Sequence, residues 1–428
     1  MKFSFLNRYF RFCFKSLSLL ACALVVAQLT AAQDTQLVTR LEQVATLIRE
    51  NKTTEAEKEL AAVLSSQPNQ PVALNLMGTI RAMQHRLDEA EALFTRAVDN
   101  NPQFTGARMN LAYLYLEKRE PAKAVVQLKE VLNQDAGNTT VMVMLGDAYL
   151  ASGSTDEAER QYLDALEGRL DNAAALLGLA QISRLKGETK ETGLYLTRVA
   201  TLSADSKSPE FLYKFATIAL QVGMSDAAKA ALENALNLRP NEPAYLLALG
   251  IAHIRKGNLF DAEKAFRHVI QLQPDSEPAQ IHLGYVLLNQ KKYDEARLWL
   301  EKSARAASPM PEVFYYLGLV AQEQNDDAKA IALFEKAVEK LPNYAHARIA
   351  LGSSYIKLRN YPRAKEELET AVKLDPDEPK AHYNLALLYA RLKDPARAQE
   401  EMRIVEKLKA KGASTDGVVV RPPNSSPR

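Results

Sequence analysis

The feature that most constrains this chain is a period of 34 residues running from about Leu37 to Ala410. The repeats PVALNLMGTIRAMQHRLDEAEALFTRAVDNNPQF, PAYLLALGIAHIRKGNLFDAEKAFRHVIQLQPDS and PEVFYYLGLVAQEQNDDAKAIALFEKAVEKLPNY begin at Pro71, Pro243 and Pro311. These starts differ by multiples of 34 once a single two-residue insertion is allowed. A unit this short cannot close a core of its own. Each must bury its apolar face against the next, so a chain of 428 residues need not break into ordinary globular domains.

Within the period, the eighth place holds Gly78, Gly146, Gly250, Gly284, Gly318 and Gly352, with Ala112, Ala180, Ala216 and Ala386 in the other full repeats. Gly inside a helix costs about 1 kcal/mol relative to Ala, so its return calls for a compensating close contact. The twentieth place is Ala90, Ala124, Ala158, Ala228, Ala262, Ala296, Ala330, Ala364 and Ala398, and the two small faces are expected to nest at short interaxial distance. Leu recurs at the seventh place, and Phe94, Tyr162, Phe266 and Phe334 fill the twenty-fourth. A second helix is expected to open at DEAE, with Asp88 or Asp156 capping free amides and Glu91 or Glu159 reaching back. It is expected to stop before Pro68, Pro102, Pro240, Pro274, Pro342 or Pro376.

These residues closely resemble the tetratricopeptide repeat family, whose signature is a series of Trp/Leu, Leu-Gly, Tyr, Ala, Phe, Ala and Pro over the same period. No repeat here carries the signature Trp at the fourth place. The resemblance implies an all-α fold, an α-solenoid in which about eleven antiparallel helix pairs wind into a right-handed superhelix with the first helices on the concave side. It also implies a role in docking peptides or protein surfaces. With the fifth and ninth places taken as groove-facing on that resemblance, fourteen of the 20 positions in repeats two to eleven are apolar or aromatic. The leading groove candidates are Tyr113, Tyr213, Leu247, Ile251, Ile281, Tyr285, Tyr315, Leu319, Tyr383 and Leu387. They point to protein or peptide partners with apolar anchors. The competing reading is that they only pack neighbouring repeats. A clamp for a terminal carboxylate, found in some family members, is not carried over, because Asn110 and Asn384 match only its Asn.

The pattern weakens in two places. Gln43 and Val44 replace the Leu and Gly of later repeats, so Leu37 to Gln70 reads as an N-terminal cap. In the fifth repeat Ser183 and Thr192 stand where Tyr and Ala are usual, and the connection TLSADSKSPE is long. A break near Ala204–Ser208 would give an N-terminal arm, 33–206, and a C-terminal arm, 207–410; a tolerated loop insertion is the alternative. The tail 411–428, KGASTDGVVVRPPNSSPR, has the Gly, Ser and Pro content of a disordered segment.

Residues 1–32 read as an export signal. Lys2, Arg8, Arg11 and Lys15 precede the apolar run SLSLLACALVVAQL, and Thr30 and Ala32 fit a cleavage site before Gln33. An uncleaved anchor and lipid attachment at Cys22 are the alternatives, and membrane contact is expected only in those two cases. Each reading puts the repeats outside the cytoplasm, in a periplasm or outer envelope or in the medium. Without this segment the chain holds 50 basic against 52 acidic side chains. That balance lacks the basic footprint of nucleic-acid binding. Cys13 and Cys22 are the only cysteines, which leaves the repeats without a disulfide framework or thiolate metal site.

Catalytic chemistry has little to work with. His85, His253, His268, His282, His346 and His382 occupy six different places in the repeat, none in metal-ligand spacing, and no Walker loop, GxGxxG or GxSxG motif occurs. No catalytic residue, metal or cofactor is expected. The sequence points to a non-catalytic scaffold of the cell envelope, with a holdase-like carrier for exported clients as the alternative.

Overall fold

The computed structural model describes residues 35–203 and 206–410. The expected export segment with Cys22, residues 204 and 205 of the expected break, and the tail 411–428 lie outside the described residues. Among the described residues there are 22 helices and no strand. They form eleven successive pairs, from Thr35–Arg49 with Thr53–Ser66 in repeat one to Pro379–Arg391 with Pro395–Ala410 in repeat eleven. The fold is an α-solenoid. Its helices fall into two compact units divided between Ala227 and Ala228.

Local chemistry sets the helix ends. First helices begin with Pro71, Pro209, Pro243, Pro311 and Pro379, where a missing N–H costs nothing. The side chains of Gln70, Asn138, Asn172 and Ser208 accept from backbone amides three residues on. The turn inside every repeat carries a left-handed residue at the fifteenth place. It is Gly153, Gly187, Gly223 or Gly257 in four repeats and a non-glycine such as His85 (φ 60°) or Lys291 (φ 62°) in the others. Each non-glycine there costs roughly 1–2 kcal/mol of local energy, offset by packing of the two helices it joins.

The packing corrects the expected nesting of small faces. A Cβ on Gly78 would stand 2.6 Å from Phe94 Cε1, and one on Gly318 would stand 2.4 Å from Phe334 Cε1. The eighth-place glycine therefore makes room chiefly for the twenty-fourth-place side chain, a ring at Gly78, Gly146, Gly250 and Gly318 and a leucine at Gly284 and Gly352, where Ala364 O of the twentieth place also comes within 3.4 Å of a Cβ on Gly352. The alanines at that twentieth place are themselves buried from Ala90 to Ala364. In the second compact unit these contacts join into one continuous core from Leu246 to Tyr389. The first unit is filled by successive overlapping clusters, Leu41 to Ala107 and Ala82 to Ala148, and then by Ala158 to Ile182.

The expected capping boxes do not form. The second helices begin at Leu87 and Thr155, and their caps Arg86 and Ser154 make no side-chain capping bond. Asp88 and Glu91 instead receive Lys118 of the following repeat at 2.8 and 2.5 Å, and Glu159 receives Lys186 at 2.6 Å. An acid one turn into the helix finds a mobile cation of the next repeat more readily than its own buried amides. At the fourth place, where the family signature has Trp, polar side chains reach back to the carbonyl of the preceding proline stop. Arg108 Nε donates to Pro102 O at 3.0 Å, Gln280 Nε2 to Pro274 O at 2.8 Å and Arg348 Nε to Pro342 O at 2.8 Å. His382 Nε2 lies 2.9 Å from Pro376 O, with Nδ1 2.7 Å from Glu401.

Candidate protein-binding face of the first helices

The fifth and ninth places lie one turn apart on the same face of each first helix, so their exposure depends on how the neighbouring first helices cover that face. In the second compact unit Ile281, Tyr285 and Tyr315 are buried. Tyr285 and Tyr315 both pack on Tyr316, with ring centroids 5.5 and 5.2 Å apart, and Tyr344 lies 5.3 Å from Tyr315. Burial pushes the Tyr285 hydroxyl up to about 12 and raises that of Tyr315 further. These rings join repeat eight to repeat nine and tie the two ends of repeat nine together. Leu247, Ile251 and Leu319 are half-buried against the same core, and each keeps part of its side chain in solvent. Tyr383 and Leu387, in the last described first helix, are 45% and 41% exposed. In the first unit Tyr113 is buried and Tyr213 half-buried.

A polar stretch interrupts this apolar row in repeats four to six. The ninth places there are Asp147, Gln181 and Thr217. Asp147 accepts from Tyr162 Oη at 2.8 Å and pairs with Lys214 Nζ at 3.2 Å, so Lys214 of repeat six reaches over repeat five to repeat four. Gly178 lets the chain do this. A Cβ on it would stand 2.4 Å from Tyr162 Cζ, in the way of the ring whose hydroxyl holds Asp147. One turn beyond Gln181, Arg184 is half-buried, and burial alone lowers its pKa. Sequence reasoning missed this stretch, although three polar ninth places in succession were the available signal.

Two family models described as tetratricopeptide repeat match the chain. One covers residues 41–103, 213–277, 261–311, 283–345 and 349–412, and the other 81–129, 116–182 and 319–378. The chain belongs to the tetratricopeptide repeat family. Among curated relatives, the human protein O-mannosyl-transferase TMTC1 is 28% identical over 201 residues, 46% of this chain and 22% of that protein. Cellulose synthase operon protein C of Pseudomonas fluorescens is 25% identical over 340 residues, 71% of this chain and 26% of that protein. The chain thus spans about a quarter of the length of these relatives. Among solved structures, yeast Tom70 is 16% identical with a TM-score of 0.43, over 89% of this chain and 97% of that one. PilF of Pseudomonas aeruginosa is 20% identical with the same TM-score, over 47% of this chain and 92% of that one. Among the described residues, no helix of this tetratricopeptide array is long and apolar enough to cross a membrane, and no group of three or more His, Cys, Asp or Glu is placed to hold a metal.

Proposed function

We propose that this chain is a non-catalytic scaffold of the cell envelope that holds segments of partner proteins along the face of its first helices. The observation that carries the reading is the half-exposed row Leu247, Ile251 and Leu319, aliphatic side chains fixed at one edge by the core and open to solvent at the other. Anchors held in this way lose little side-chain entropy on binding, which favours tight docking. Membership of a repeat family built of stacked helix pairs supports the reading, because such arrays offer long surfaces and few enclosed sites. The envelope assignment rests on the charged and apolar character of residues 1–32. The likeness over 71% of the chain to a protein named for a cellulose synthase operon sits well with a part in polysaccharide export.

A photo-reactive side chain at Ile251 or Leu319 is expected to capture a small set of defined proteins from intact cells. Leu319→Glu should weaken the isolated complex about ten-fold or more while leaving the array folded. Tyr285 and Tyr315 are unsuitable probes, since their replacement would loosen the core. Broad, weak capture of unrelated unfolded chains would favour a holdase-like carrier instead. Retention in the cytoplasm of a reporter fused to the N-terminal segment would sink the envelope assignment.

A further inference from the structure

Among the described residues of the polar stretch, Arg184 is a charge left over. Its guanidinium has no hydrogen-bond or ion-pair partner among the described residues, and its Nε is enclosed. Asp147, the carboxylate at the ninth place of repeat four, is engaged by Lys214 at 3.2 Å and by Tyr162 at 2.8 Å. Burial disfavours the Arg184 cation with nothing opposing it. A partly desolvated, uncompensated cation costs stability, and such costs persist at sites that receive an anion from outside. Gln181 lies three residues earlier on the same helix, a spacing that puts its amide on the same side of the helix as Arg184. The next residue, Leu185, is 56% exposed.

We propose that the first-helix face of repeats four to six is a subsite for an Asp or Glu side chain of a partner protein segment, gripped by the planar fork of Arg184 beside Gln181, with Leu185 meeting an adjacent aliphatic residue. The proposal rests on the protein-binding reading and adds the class of partner residue to it. A carboxylate matches the two parallel donors of a guanidinium, which an ammonium does not offer. Nucleic acid fits less well, because Asp147 lies in the same stretch and no run of cations tracks a phosphate backbone.

The test compares the full chain and its Arg184→Met variant against three short Leu/Ala peptides. One carries Glu and capped ends, one has Gln in place of Glu, and one has Gln with a free C-terminal carboxylate. The Glu peptide is expected to bind the natural protein about ten-fold or more tightly than the capped Gln peptide, with the advantage shrinking in high salt. Arg184→Met should erase that advantage and Arg184→Lys keep only part of it. The Met variant should melt no lower than the natural protein, so lost binding would not reflect unfolding. Equal binding of Glu and Gln peptides, a Glu preference that survives in Arg184→Met, a preference for the free terminus, or tighter binding of a single-stranded oligonucleotide would each overturn the proposal. Partner capture at Leu319 is independent of these peptides, so the broader reading stands or falls separately.

Discussion

Gly318→Ala and Phe334→Leu are each expected to destabilise the second compact unit, and to restore most of the lost stability when combined. A Cβ on Gly318 would lie 2.4, 2.6 and 2.9 Å from three atoms of the fully buried Phe334 ring, which has no free end to swing aside. Overpacking of this kind costs about 1–3 kcal/mol, against a helix-propensity gain of about 1 kcal/mol for Ala. Phe334→Leu alone leaves space where the ring lay and costs roughly 1–2 kcal/mol. Together the two substitutions reproduce a pairing the chain already uses. Ala112, Ala180 and Ala216 at the eighth place accompany Leu128, Leu196 and Leu232 at the twenty-fourth. All four aromatic residues at that place, Phe94, Tyr162, Phe266 and Phe334, face Gly. A double-mutant cycle by denaturant unfolding should give a coupling of about 1–3 kcal/mol in favour of the pair. Simple additivity would show that the glycine is kept for another reason.

Much of this architecture was legible because the signals were local and repeated. Small residues, stops and apolar spacing recur at fixed places, and each helix pair can be read from its own 34 residues. Features made between repeats were harder to read. Asp88 and Glu91 look like caps in isolation, and only the next repeat supplies Lys118. The fourth-place staples need the proline carbonyl of the preceding repeat, and Arg, Gln and His serve equally, so no residue type marks the role. The left-handed turn at the fifteenth place is announced by Gly in four repeats but hidden behind His85, Arg119 or Lys393 in others, where tertiary packing overrides local preference. Candidate site residues were the least legible. The same Tyr or Ile at a fifth or ninth place is buried at Ile281, Tyr285 and Tyr315 yet open at Tyr383, because exposure is decided by what lies across from it.

His282 makes the second unit sensitive to acid in a way that no surface group does. The ring is fully buried, stacked on Phe266 at 5.1 Å and 11°, and its Nδ1 has no hydrogen-bond partner. Burial alone pushes its pKa down from 6.5 to about 4, so the folded array holds it neutral where the unfolded chain would protonate it. The unfolded state binds more protons between those two values. Stability is therefore fully present above about pH 6.5 and falls as the pH drops toward 4, by roughly 2 kcal/mol at pH 5 and roughly 3 kcal/mol at pH 4. His253, also pushed down by burial, adds a slope of the same sign, so the comparison must isolate one residue. His282→Leu keeps a side chain of similar volume against Phe266 and removes the unpartnered nitrogen, so it should be at least as stable as the natural protein at pH 7.5. Its advantage should then widen by about 2 kcal/mol on moving to pH 5, read as the difference in denaturant midpoints. Parallel losses in the two proteins would mean that water or a rearranged partner reaches His282 on protonation, and that the ring is not held as dry as its burial implies.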